Sequence, residues 1–287
     1  MTTVASPTAL DSIDLEITGG CQLTCTHCFA ESSPRGTHGQ MTIGDWQQVI
    51  VDASTLGIRK LQLIGGEPTL HPHWEDLLDL ALDLDMRVEL FSNLFYIRPS
   101  WWAVLRQDGV SLATSYYSDD SDEHDKITNR TGSYLRTRAN IEEAIKRGIP
   151  LRAGIVQVHP EQRTDQARAD LEAIGVTNID FDHVRAFGRA AGTTAPDPKN
   201  LCGRCGRTRA AVLPSGDVSL CVLSRFMPVG NVRATPLADI IGNPAWRHAL
   251  EQIPEPQAGG CSPDDQSCQP GQPACLPKFP NAPDGPQ

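Results

Sequence analysis

Three cysteines in one short run, Cys21, Cys25 and Cys28 in GGCQLTCTHCFA, restrict this chain more than any other feature. A tetrahedral metal site closes with four donors. Three thiolates at this spacing suit three corners of a [4Fe–4S] cube and leave the fourth iron open to a ligand. An open iron can bind and react, so the loop reads as chemistry rather than as a staple. Two plainer readings stand beside it: a zinc site that His27 completes, and three unrelated core cysteines.

A second motif follows. Leu61-Gln62-Leu63-Ile64 is a short apolar run of strand type that ends in Gly65-Gly66-Glu67-Pro68. Two glycines let the backbone bend sharply and approach a ligand, and Pro68 stiffens the exit. Glu67 is then one carboxylate at a strand end. A lone GGEP also suits an ordinary turn between a strand and a helix. The pair of motifs is more specific than either alone.

On those residues the chain resembles the radical S-adenosylmethionine (SAM) enzymes. The resemblance covers the region before about residue 200, with specific motifs only at 21–28 and 65–68. It implies that Cys21, Cys25 and Cys28 ligate a [4Fe–4S] cluster and that SAM occupies the open iron. It places His27 against the adenine, and the backbone and carboxylate of Gly65, Gly66, Glu67 and Pro68 at the methionyl amino group.

At 287 residues the chain can bury one sizeable core and a smaller appendage. A net charge of −10 argues against a nucleic-acid partner, which needs a basic patch. No apolar run approaches the ~18 residues of a membrane span, and the start MTTVASPTALDS is no signal peptide. Nine cysteines without an export signal suit metal ligation in a reducing compartment, so a soluble cytoplasmic protein is expected.

From 12 to about 184 strand-like and helix-like segments alternate. Strands are expected at 12–18, 60–64, 87–92, 110–115, 151–158 and 178–184. Helices are expected at 42–56, 74–84, 101–107, 136–147 and 164–174, the first opened by a Thr42/Asp45 capping box and the fourth ended by Gly148. Such β/α repeats imply a parallel sheet with right-handed crossovers. The resemblance makes this an α/β fold: a partial (β/α)6 TIM-like barrel over 1–195, with chemistry on the loops after the strands.

Ser92 and Asn93 end the third strand, where the resemblance places polar contacts to SAM. Ser115 ends the fourth, and Val156 lies where related enzymes bring backbone against adenine. The polar stretch 116–133 is expected to be a long loop over the barrel mouth, with Asp119, Asp120, His124, Asp125 and Arg130 as candidate substrate or SAM contacts.

After about 196 glycine and proline rise and six further cysteines appear: Cys202, Cys205, Cys221, Cys261, Cys268 and Cys275. Cys202 and Cys205 form a CxxC, followed by Gly216 and Cys221 at a spacing that resembles the opening of SPASM and twitch extensions. AAVLPSGDVSLC reads as a hairpin that presents Cys221. A full SPASM domain ends with CX2CX5CX3C, whereas here Cys261, Cys268 and Cys275 are separated by six residues each. Six thiolates cannot fill two all-cysteine clusters. The module over 196–278 is therefore read as one auxiliary [4Fe–4S] cluster on Cys202, Cys205, Cys221 and one of the last three, Cys261 or Cys275 first. Two clusters with open or non-cysteine ligands, and a zinc ribbon, are the alternatives. A leftover thiol such as Cys268 is a candidate hydrogen-atom donor. The tail 279–287 is expected to be disordered.

The implied activity is reductive cleavage of SAM to a 5′-deoxyadenosyl radical that takes a hydrogen atom from substrate carbon. The leading substrate is a ribosomally made precursor peptide, cross-linked or epimerised in natural-product biosynthesis. A sugar or alcohol dehydrogenase or epimerase is the second reading, and a non-catalytic iron–sulfur or zinc protein the third. A reductant such as ferredoxin or flavodoxin is implied. Few residues precede the first strand, so leader recognition is expected to fall to a separate protein or to the barrel loops.

Overall fold

The computed structural model describes residues 10–255. The chain winds through β1 (Ser12–Glu16), α1 (Ile43–Thr55), β2 (Lys60–Ile64), α2 (Trp74–Asp83), β3 (Arg87–Phe91), α3 (Trp101–Leu105) and β4 (Val110–Tyr116). It continues through α4 (Ser121–Thr128), α5 (Ser133–Lys146), β5 (Leu151–Gln157), α6 (Thr164–Ala173) and β6 (Asn178–His183). The six strands lie side by side in parallel, from β6 back to β1. This is the expected α/β architecture of repeated β/α units.

Period-two alternation decides which way each strand faces. Ile13, Leu15, Leu61, Leu63, Val88 and Leu90 point at the helices and are fully buried. Trp46, Ile50, Leu77 and Leu78 meet them from α1 and α2. The capping box is present: the Thr42 hydroxyl accepts from the Asp45 amide and the Asp45 carboxylate accepts from the Thr42 amide.

Stretch 116–133 departs from the expected loop, because α4 occupies its middle. Asp120 accepts from the Glu123 amide as N-cap, Asp122 and Glu123 suit the helix dipole, and His124, Ile127 and Thr128 supply a buried face. The charge density that reads as loop is the exposed side of a short amphipathic helix.

Beyond β6, β7 (Arg209–Val212) turns into antiparallel β8 (Asp217–Ser219), the expected hairpin, and β9 (Gly230–Asn231) pairs with β8. Short helices α7 (Leu237–Ile240) and α8 (Pro244–Glu251) follow. Nothing in the sequence pattern anticipates that β7 also adds in parallel to β1, Ser12 opposite Arg209 and Leu15 opposite Val212. The cysteine-bearing hairpin thereby continues the barrel sheet. Cys261, Cys268, Cys275 and the tail 279–287 lie outside the described residues. Among the described residues no helix is long and apolar enough to cross a membrane.

The inner face of the sheet carries charge. Gln62 donates to Glu89 at 2.5 Å, and Arg152 reaches Glu89 at 2.9 Å and Asp180 at 3.3 Å. Arg152 on β5 spans β4 to reach β3, passing the small side chain of Ala113, its register neighbour. Burial alone pushes the Glu89 carboxyl up, but Arg152, Lys60 and Gln62 outweigh it and hold it below the ordinary carboxylate range. A depressed carboxylate stabilises the fold above its unfolded value and loses that contribution as pH falls through its folded value. Arg152→Met is therefore expected to cost about 3–5 kcal/mol in urea unfolding at neutral pH, and a paired Glu89→Leu to recover most of it. A loss below ~1 kcal/mol, or no recovery, would show that the pair is solvated rather than buried.

Candidate functional site

Thr18 leaves β1 and begins the cysteine loop, which closes on itself where the Gly19 amide meets Thr37 O at 2.8 Å and the Cys21 amide meets Ser33 O at 3.0 Å. The turn after β2 holds it from below: the Gly66 amide donates to Thr18 O at 2.7 Å and the Glu67 amide to Gly20 O at 2.8 Å. Both glycines are needed for this approach. A Cβ on Gly65 would sit 2.4 Å from Thr18 O, and one on Gly66 2.2 Å from Gly20 O.

A third tether has no signature in the sequence. After β6, the turn Gly188–Ala191 lies against the loop, and Arg189 donates its amide to Cys28 O at 3.1 Å, Nε to Cys25 O at 2.7 Å and Nη2 to Ser32 O at 2.9 Å. One guanidinium thus binds the backbone on both sides of the third cysteine. Gly188 has φ +52°, and a Cβ there would be 2.4 Å from Cys28 O.

The Glu67 carboxylate, implied to meet a ligand amine, is turned into the protein. It is 1% exposed and accepts from the Thr69 amide and hydroxyl at 3.2 and 2.7 Å, from Ser92 Oγ at 2.9 Å and from the Asn93 amide at 2.9 Å. Ser92 is likewise spent on Glu67. Burial raises the Glu67 carboxyl, and these donors oppose the rise. Glu67 and Ser92 therefore position the turn after β2 and the start of the loop after β3, while the Gly65–Gly66 backbone faces the open space. Pro68 packs, buried, behind it.

That space is a cavity of about 370 Å³. Cys21, Cys25, Cys28, His27, Asn93, Ser115 and Val156 all line it. Of the residues singled out in stretch 116–133 only His124 does. Asp119 pairs with Arg163, Asp120 caps α4, Asp125 holds the backbone of Gly132 and Tyr134, and Arg130 lies over Phe95. Tyr117, Asp14, Arg152 and the Asp182–Arg185 pair also line it, and no motif in the sequence pointed to them. The signal for Asp14 is its place on the polar face of β1, opposite Ile13 and Leu15.

The donor chemistry fits a cluster and a polar ligand. Burial pushes the Cys21 and Cys25 thiols up to about 12, a cost that bound cationic iron would remove. Asn93 Nδ2 donates to Cys21 Sγ at 3.6 Å. Three thiols spaced around one loop suit a cube, which takes one thiolate per iron. His27 Nδ1, Ser32 Oγ and His124 Nδ1 are buried without a hydrogen-bond partner and all three residues line the cavity. Burial, then Arg189, lowers His27 to about 4, so its imidazole is neutral, its edge against Tyr117 at 5.0 Å between centroids.

The second thiol set approaches the same cavity. Cys205 Sγ lies 2.7 Å from Cys221 Sγ, and hydrogen bonding with Cys205 draws both Cys202 and Cys221 down while Cys205 is raised. Val222 and Leu223, immediately after Cys221, are part of the cavity wall. Arg225 then grips buried Glu16 of β1 at 3.0 Å.

A family model described as the radical SAM superfamily matches residues 15–171, and one described as an iron–sulfur cluster-binding domain, SPASM, matches 202–269. The AdoMet-dependent heme synthase of Methanosarcina barkeri is 30% identical over 148 residues, 51% of this chain and 42% of that protein. The PqqA peptide cyclase of Ruegeria pomeroyi is 28% identical over 219 residues, 74% of this chain and 53% of that one. The solved structure of Streptococcus suis SuiB bound to precursor peptide SuiA superposes with TM-score 0.70 at 16% identity, covering 91% of this chain and 76% of SuiB. The chain spans about half the length of the first curated relatives it matches.

Two outcomes are expected from this geometry. Glu67→Ala strands two buried amides and should lower stability by about 3 kcal/mol in denaturant unfolding, with Glu67→Gln much milder. Equal losses would mean that the charge, not the acceptor geometry, matters. Burial pushes the Asp14 carboxyl up to about 6, with Arg209 the chief opposing influence. An acid raised in the fold costs stability once pH passes its unfolded value. Asp14→Asn should then gain roughly 2–3 kcal/mol above pH ~7 and nothing below pH ~4; a gain independent of pH would contradict this origin.

Proposed function

The chain belongs to the radical SAM superfamily, and from that premise we propose that it modifies a ribosomally made precursor peptide, by cross-linking or epimerisation, through hydrogen-atom abstraction. Cys21, Cys25 and Cys28 would hold the SAM-binding cluster. Cys202, Cys205 and Cys221, with one of Cys261, Cys268 and Cys275, would hold an auxiliary one. When bound, the first cluster and SAM supply a 5′-deoxyadenosyl radical by one-electron cleavage.

The observation that carries this reading is one cavity lined by Cys21, Cys25 and Cys28, with Val222 and Leu223, the residues that follow Cys221, in the same wall. A substrate carbon held there would lie beside the first thiol loop, with Val222 and Leu223 of the Cys221 segment in the same wall, and a cluster held by that segment would supply one-electron redox chemistry. The protein's task is positioning and exclusion of water. Phe29, Phe91, Val156, Val222 and Leu223 make the wall apolar, and Arg152 and the Asp182–Arg185 pair fix polar groups. His27 offers a neutral ring with a free nitrogen, and Gly65 and Gly66 bring bare backbone to the ligand.

A peptide substrate is supported by the relatives whose names specify one, the PqqA peptide cyclase and SuiB with its precursor peptide. The match to a heme synthase favours a small-molecule substrate as second reading.

The test is anaerobic reconstitution followed by reduction with dithionite in the presence of SAM. Wild type should hold about eight irons and release 5′-deoxyadenosine, and the Cys21/Cys25/Cys28→Ala variant about four and none. Perdeuterated peptide and carbohydrate pools then decide the substrate class: deuterium should enter 5′-deoxyadenosine from the peptides. Transfer only from carbohydrates would replace the peptide reading, and a reduced, iron-loaded wild type that leaves SAM intact would end both.

A further inference from the structure

Cys21, Leu23 and Phe95 form a small buried apolar cluster of their own, with Cys25 packed on it. Phe95 packs beside those cysteines, and two guanidiniums cover its ring: Arg130 at 5.3 Å and Arg136 at 4.9 Å from the centroid. The backbone fixes this arrangement. The Thr24 and Thr26 amides bond to Thr128 O and Ile127 O at the end of α4, and Thr137 and Asn140 of α5 bond to the carbonyls of Asn93 and Leu94. Both arginines are thereby held over Phe95, beside the metal-binding loop, and neither lines the cavity.

Their charge is also unspent. Several other arginines of α5, α6 and the adjoining loop are paired: Arg147 with Glu143, Arg168 with Glu172, Arg163 with Asp119, Arg138 with Asp170. Among the described residues Arg130, Arg136 and the exposed Lys126 form no ion pair. The nearest acid, Asp125, is committed to the backbone of Gly132 and Tyr134 and the hydroxyl of Ser133. Leu135, next to Arg136, is 67% exposed. On a chain of net charge −10, this cationic, partly apolar patch is attractive to an acidic protein that the overall charge repels.

We propose that Arg130, Arg136 and Lys126 around Phe95 form the docking surface for an acidic one-electron carrier protein, which delivers its electron to the SAM-binding cluster across Phe95. The proposal rests on the radical SAM reading. The step balances simply: the carrier is oxidised by one electron, the cluster is reduced by one, and no bond or proton moves. Charge complementarity selects the occupant, because an acidic carrier is attracted by these three cations and oriented there against the overall negative charge.

The probe is recombinant flavodoxin, with Arg130→Glu/Arg136→Glu as the main variant and Arg130→Gln/Arg136→Gln as a milder one, both checked for wild-type circular dichroism and iron content. Flavodoxin should bind wild type with an affinity that falls as salt rises, and bind the Glu variant at least about tenfold more weakly at low salt. Photoreduced flavodoxin should reduce the cluster of the variant about tenfold more slowly by electron paramagnetic resonance, the Gln variant falling between, while dithionite reduces all three alike. Equal flavodoxin binding would overturn the proposal. So would loss of dithionite reduction, which would make the arginines structural. Unchanged flavodoxin reduction with lost turnover of substrate peptide would assign the patch to substrate instead. A wild type without a dithionite-reducible cluster would defeat the functional reading, and the binding arm would still decide the docking surface.

Discussion

Backbone pairing between the cysteine loop and the turn after β2 is the contact on which the site depends. A loop as long as 19–37 has little structure of its own to keep three side chains together, and closing it costs entropy that local contacts must offset. Here Thr18 and Gly20 give their carbonyls to the amides of Gly66 and Glu67, at a separation that any side chain on Gly65 or Gly66 would prevent. Glu67 then anchors the turn by gathering donors from Thr69, Ser92 and Asn93, so the strand ends of β2 and β3 and the loop after β1 move as one body. Arg189 closes the arrangement from the far side of the sheet.

The barrel interior shows the opposite economy from the helix-facing side. Outside, Leu, Ile and Val residues are packed to near-zero exposure. Inside, Glu89, Arg152, Asp180 and Asp14 share a confined space in which unpaired charge is expensive. Apolar residues would fill such an interior at least as stably. A polar, hydrogen-bonded lining instead keeps a cavity open and gives it directional contacts, as a binding site needs. The Glu16–Arg225 pair extends the same device to the C-terminal segment: burial raises Glu16, Arg225 opposes that rise, and the contact fastens the Cys221 region to β1.

Joining β7 to β1 has a direct chemical consequence. It brings the hairpin that carries Cys221 to the edge of the barrel sheet, so Val222 and Leu223, just after Cys221, line the same cavity as the first thiol set. A radical SAM model matches the barrel and an iron–sulfur cluster-binding model matches the hairpin region.

Local chemistry was legible in the sequence alone. The cysteine spacing, the Gly65–Pro68 turn, the Thr42 capping box, the β/α alternation and the Pro214–Asp217 hairpin each depend on contiguous residues, and period and turn preference report them directly. What the sequence could not show depends on strand order and register. Arg189 reaches Cys25 across 164 positions, and Arg152 reaches Glu89 only because Ala113 lies between them. Glu67 reads as a ligand carboxylate until Ser92 and Asn93 are brought beside it. Stretch 116–133 reads as loop because its buried face, His124, Ile127 and Thr128, is recognisable only once there is a surface to bury it against. Residue type and spacing set which chemistry was available. The tertiary structure decided which groups were free to perform it, since a polar side chain's availability depends on partners that folding alone supplies.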